Sequence, residues 1–239
     1  MTLAVLMSWL AGGLAWPAAP SPPDLHVVFR SEFIYMSSTR VVAHEGWVSD
    51  GKSAVRQGDR LSINREDLGL TWRINAKAGT YTEVARPPAQ PKAPRQSTAA
   101  PAVDMHTAGY DWEAQYDWTV KASGRTTTIV GRPCREFVAN GDADFAEARV
   151  SFWACVPVPG VTRSPTDMVM GVLRSESTKG MILETLAAHG HAWLLGAEEQ
   201  QEPAIAPTMV VRVRVESVEA STAPSGTFDL PPTLTKAGR

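Results

Sequence analysis

The sequence predicts a mainly β protein with few short helices, its strands joined into an antiparallel sheet. Three observations carry that expectation. Apolar and aromatic residues alternate with polar ones through many short segments, the period of a strand with one buried and one wet face. In the plainest case Tyr110, Trp112, Ala114, Tyr116, Trp118 and Val120 are interleaved with Asp111, Glu113, Gln115, Asp117 and Thr119. Tight-turn signals such as Ser49-Asp50-Gly51-Lys52 and Gly58-Asp59 join neighbouring segments, as expected of hairpins. The clear helix start is Ser164-Pro165, where Ser suits the cap and Pro the first helical position.

At 239 residues, 44% hydrophobic and 20% charged, the chain is long enough to bury a core. A formal net charge of −2 offers no general attraction to nucleic acid or to an anionic membrane.

Taken in order, Leu3 to Leu14 is an apolar run, too short to cross a bilayer comfortably, that leads into the Pro-rich 16–23. It reads as a secretory signal peptide, so residues 1–23 are set aside as leader and exit, and the mature chain is expected to carry no transmembrane segment. Leu25 to Met36 is a first strand interrupted by Ser31, and Arg40 to Val48 a second, with Trp47 on one parity and His44 on the other. Lys52 to Ile63 continues the meander, followed by alternation at Leu70, Trp72 and Ile74, and by Tyr81 to Val84. Residues 86–105 carry five prolines among Ala, Gln, Ser and Lys and read as a flexible insertion.

The aromatic strand at 110–121 follows, turning at Ser123-Gly124-Arg125 into Thr126 to Val130. Arg135 to Ala139 and Arg149 to Val156 make a hairpin closed around Asn140-Gly141-Asp142. If Cys134 faces Cys155, Phe137 and Ala139 share a face with Val150, Phe152 and Ala154. Two cysteines so placed in an exported chain make one disulfide, stabilising by about 3 kcal/mol through loop closure. The Pro165 helix bears Met168, Val169, Val172 and Leu173 as its apolar stripe. Thr178 to His189 suits a buried strand or a helix equally, and Glu198 to Pro207 reads as a polar excursion. Met209 to Glu216 alternates as a last strand, Thr227 to Pro232 is an apolar plug, and 233–239 a polar tail.

Trp72-Arg73-Ile74-Asn75 with Tyr81-Thr82-Glu83, Thr128 to Cys134, Phe152-Trp153-Ala154-Cys155 and Phe228-Asp229-Leu230-Pro231 together resemble exported bacterial proteins of the LolA-like lipoprotein-carrier superfamily, in an uncharacterised branch. The resemblance spans Leu25 to Pro232, one domain over 24–232. It implies a strongly curved antiparallel sheet, an unclosed half-barrel whose concave side is capped by helix and can hold acyl chains, with the Pro165 helix as a lid. It carries over no binding residue. The superfamily also includes envelope-stress sensor domains, and fold does not choose among these roles.

No GxSxG elbow, HExxH, phosphate-cradling loop or acidic metal cluster is present. His189-Gly190-His191 could approach a metal with Glu198 and Glu199, but an HxH beside a glycine is ordinarily a turn. His26, His44 and His106 read as isolated, solvated or hydrogen-bonded groups. The aromatic stripe is either core or the lining of an apolar cavity. The reading is therefore a non-catalytic periplasmic or secreted binder of an acyl chain, lipid or lipidated protein, with no cofactor and no metal. Its cavity candidates are Trp47, Trp72, Tyr110, Trp112, Tyr116, Trp118, Met168 and Val172. A sensor or structural interaction module with a filled core is the alternative, and a hydrolase the third.

Overall fold

The computed structural model describes residues 23–85, 116–143 and 146–237. Residues 1–22 of the expected leader and exit, Tyr110, Trp112 and the Pro-rich 86–105 lie outside them. The strands are β1 (Asp24–Tyr35), β2 (Ser38–Ser49), β3 (Lys52–Gln57), β4 (Arg60–Arg65), β5 (Leu70–Asn75), β6 (Thr80–Ala85), β7 (Asp117–Ile129), β8 (Arg132–Ala143), β9 (Ala146–Cys155), β10 (Trp193–Pro203), β11 (Met209–Ser221) and β12 (Thr235–Lys236). The helices α1 (Thr166–Met170) and α2 (Glu176–Ala188) fall between β9 and β10.

Among the described residues all twelve strands form one sheet, in the order β12-β6-β5-β4-β3-β2-β1-β11-β10-β9-β8-β7. The sheet is curved, antiparallel except where β12 joins β6, and not closed into a barrel. Two meanders, β1–β6 and β7–β11, meet at the β1–β11 pair, where Asp24 faces Ser221 and Tyr35 faces Met209.

The two halves of the sheet bury opposite faces. On the helix side of β1 and β8–β11, Leu25, Val27, Phe29, Phe137, Val150, Phe152, Val213 and Val215 pack with Met168, Val169, Leu173, Ile182 and Leu186. Each such side chain gains on the order of 1.5–3 kcal/mol from leaving water, before the entropy of ordering is subtracted. Beyond β2 the polarity inverts. Ile63 pairs with Ala54 on one side and Trp72 on the other, and these side chains face away from the helices, beneath Phe228, Leu230 and Leu234. Arg65 holds that covering segment by donating to the Phe228 carbonyl oxygen at 3.2 Å.

The Cys134–Cys155 disulfide is formed, and the hairpin register is the expected one, with Phe137 opposite Phe152 and Ala139 opposite Val150. Several local expectations are corrected. The β8–β9 ladder runs past Asn140-Gly141-Asp142 to Ala143 opposite Ala146, so those residues are strand. Ser123-Gly124-Arg125 is no turn but an irregularity within β7; the Ser123 hydroxyl donates to Glu136 Oε2 at 2.7 Å and accepts from the Arg125 amide at 3.1 Å, satisfying the interrupted ladder. The reversal comes at Val130-Gly131, both at positive φ, 44° and 74°.

Thr178 to His189 resolves as α2, because Ser175 caps it by accepting from the Thr178 amide at 3.2 Å. The supposed excursion after Glu198 is most of β10. Its polar residues conceal the period: Glu198 and Gln200 lie on the outer side, while Glu199 is buried. Finally, the Phe228 plug closes the outer face of the sheet and not its concave side.

Candidate functional site

The concave side is filled beneath β8–β11 and open beneath β2–β6. Gly46 of β2 lets α1 approach so closely that a Cβ there would stand 2.9 Å from the Met168 sulfur and 2.7 Å from the Ala54 carbonyl oxygen. Past that contact sheet and helices diverge. They leave an open cavity of about 830 Å³ between the strands and the helical cap, within the range of ligand sites.

The cap side of this cavity presents the apolar Met168, Met170, Val172 and Leu183 beside the charged Asp167, Glu176 and Lys179, and Phe29 joins it from β1. Leu183 remains 45% exposed. Apart from Val55 the floor is polar, because the inverted half of the sheet turns Ser53, Gln57, Arg60, Ser62, Asn64, Thr71, Arg73 and Asn75 inward. Arg60 faces Asn75 and Ser62 faces Arg73, so the two guanidinium groups spring from one face at diagonal positions, about 7 Å apart at their Cα atoms. Both arginines are exposed.

Between filled and open halves sits His44. Its ring stacks on Phe29 at 4.5 Å between centroids, and its Nε2 lies 2.7 Å from the Ser31 hydroxyl. Burial pushes the imidazole below its ordinary pKa, so it is neutral at pH 7 and the hydrogen bond needs no counter-ion. Ser31 has no exposed surface. The pair clamps β1 to β2 and gives no substrate access to the hydroxyl.

A second buried polar group anchors the cap. Glu199, 1% exposed, accepts from the Arg174 amide at 2.9 Å, the Thr178 hydroxyl at 2.7 Å and the Gln201 amide group at 3.0 Å. These donors lie at the start of α2 and beside Glu199 on β10. One carboxylate thus ties the α1–α2 connection to the sheet.

Of the residues singled out from sequence, Met168 and Val172 line the cavity. Trp47 and Trp72 do not. Trp47 stacks on His26, and Trp72 donates its indole N–H to Glu83 at 3.0 Å on the outer face. Shared parity places aromatics together but cannot say which face is concave. Tyr116 and Trp118 lie on the inner side near the β7 edge, in contact with each other, and the Trp118 indole donates to the Ser177 hydroxyl at 2.9 Å. They hold α2 rather than line the cavity, and burial followed by the nearby Glu199 charge raises the Tyr116 phenol above its ordinary pKa.

His189 terminates α2 with its Nδ1 against the Thr185 carbonyl at 2.8 Å. Glu198 pairs with Arg212 instead of joining it. No group of three or more metal-ligating side chains occurs among the described residues. Phe29, one of the aromatics that could line a cavity, does so, whereas Arg60, Arg73 and Leu183 are cavity residues that sequence reasoning passed over. The signal for the two arginines is the polar parity of β4 and β5, opposite to Ile63 and Trp72.

No protein-family model matches the chain, and no curated protein matches it. Among solved structures it is similar to PNGF-II, at 8% identity and a TM-score of 0.38 over 90% of this chain. It spans only about a third of that protein, 31%. It is also similar to a LolA superfamily protein from Nitrosomonas europaea, at 10% identity and TM-score 0.30, covering 87% of this chain and 91% of that one. A putative outer membrane lipoprotein-sorting protein domain from Vibrio parahaemolyticus matches at 7% identity and TM-score 0.31, over 87% and 89% of the two chains. At such values the likenesses bring no ligand or activity to this chain.

Proposed function

We propose that this protein is a non-catalytic binder that receives the apolar part of a lipid or lipidated protein beneath its helical cap, in the bacterial envelope. The observation that carries the reading is the cavity itself. An open space of about 830 Å³ lies under a cap whose Leu183, Val172 and Met170 are turned toward it, where a purely structural module would fill the space with side chains. The disulfide between Cys134 and Cys155 supports an oxidising compartment such as the periplasm.

Covering roughly ten methylenes at about 0.8 kcal/mol each contributes about 8 kcal/mol gross. Association costs on the order of 4–15 kcal/mol in lost freedom, so an acyl chain alone gives weak binding and polar contacts decide the affinity.

Native mass spectrometry with lipid extraction, on the full chain expressed with export, tests the proposal. A stoichiometric co-purifying lipid is the expected result. A ligand-free protein that also ignores added fatty acids and phospholipids would overturn it in favour of an interaction module.

A further inference from the structure

We infer that the cavity selects a lipid with an anionic end, its chain lying along the cap and its anion held by Arg60 and Arg73. The inference rests on the binder reading above and names the ligand class. Three observations converge on it. The cavity is two-sided, with Met168, Met170, Val172 and Leu183 of the cap opposite a mostly polar strand floor, which matches an amphiphile better than a hydrocarbon. The floor also has one sign of charge. Arg60 and Arg73 point inward from adjacent strands, and none of the strand residues lining the cavity is acidic.

The charges facing these arginines from the helices are Asp167, Glu176 and Lys179. Glu176 is engaged by Lys179, Nζ to Oε1 at 2.5 Å, and Asp167 has interactions of its own. Arg60 and Arg73 make no ion pair with another described residue, whereas Arg65, one strand position out of phase, is paired with Asp67 on the outer face. Two guanidinium groups on one face suit the oxygens of a carboxylate or a phosphate, which they can grip by paired hydrogen bonds.

The test is calorimetric titration of the full chain, below the micelle concentration, with dodecanoate, dodecyl phosphate and dodecanol. Tail and length are constant, so the ratio of affinities reads the head alone. The expected result is roughly tenfold tighter binding of one or both anions than of the alcohol, a preference that falls to near unity in R60Q/R73Q and persists in R149Q, a change on the outer face. Which anion gains more assigns the head as carboxylate or phosphate. Both arginines are exposed, so melting curves should confirm that the double variant folds. Equal binding of all three ligands, or a preference that survives R60Q/R73Q, overturns the inference and leaves the binder reading intact. Failure of every ligand to bind removes the binder reading itself.

Discussion

Glu199→Ala should loosen the helical cap as well as destabilise the fold. The carboxylate is buried and accepts three hydrogen bonds. Its removal leaves the Arg174 amide and the Thr178 hydroxyl without their acceptor, and Thr178 is wholly buried. A stranded donor costs about 1–3 kcal/mol, while the half-buried Gln201 can turn to water, so the loss centres on about 3 kcal/mol. In a chain of this size 1 kcal/mol corresponds to roughly 2–4 °C in Tm, giving a fall of about 6–12 °C. Glu199→Gln keeps the volume: its oxygen accepts from Arg174, its nitrogen donates to a rotated Thr178 hydroxyl, and about 1 kcal/mol is lost. Urea unfolding followed by circular dichroism and tryptophan fluorescence measures both values, with coincidence of the two probes checking two-state behaviour. Ligand dissociation should quicken in Glu199→Ala, since Val172 and Glu176 flank the freed connection. A loss below about 1 kcal/mol in Glu199→Ala, or equal losses in the two variants, would show that the carboxylate does not anchor the cap.

Other substitutions separate the faces of the sheet. His44 has its folded pKa lowered by burial, so its contribution is fully present above the unfolded value near 6.5 and is lost as pH falls through the folded one. Urea midpoints from pH 7.5 to 5 should therefore decline in the wild type and flatten in His44→Phe. The Glu83 carboxyl, lowered by Trp72 and Lys236, loses its contribution as pH falls through its unfolded value near 4.5 towards the folded one, below that window. Reduction of the disulfide, whose cysteines are 21 positions apart, should cost about 3 kcal/mol, matched by Cys134→Ala/Cys155→Ala without reductant. Trp72→Ala, on the outer face, should lose about 3 kcal/mol of stability yet leave lipid affinity within twofold in the same titration. Gly46→Val drives a side chain into Met168 and should both destabilise by about 1–3 kcal/mol and weaken binding.

How legible this was from sequence depends on what each residue reports. The Cys134–Cys155 register was readable because pairing the two cysteines put Phe137 and Val150 on a common face, and a one-residue slip would have split them. The first helix announced itself through Ser164-Pro165, one position early: Pro165 takes the cap position and α1 begins at Thr166, whose amide donates to the Ser164 hydroxyl just ahead of the cap. The cavity was not readable. Alternation in β4 and β5 separates Ile63 and Trp72 from Ser62 and Arg73 but does not say which side is concave, and the greasier side is covered from without by the distant Phe228 segment. Nor could β10 be seen, because Glu199 is polar for a tertiary reason, its partners lying at the start of α2.

The order of strands sets a requirement on the connection between β6 and β7. These consecutive strands stand toward opposite borders of the sheet, ten places apart in the strand order. Counted along the sheet at about 4.8 Å per strand, the two strands are separated by roughly 48 Å. Thirty-one residues, 86–116, separate the two, with a maximum reach of about 100 Å. The length of that connection is therefore a topological allowance: its reach exceeds even the distance counted along the sheet, so it leaves the second meander free to pair through β11 with β1.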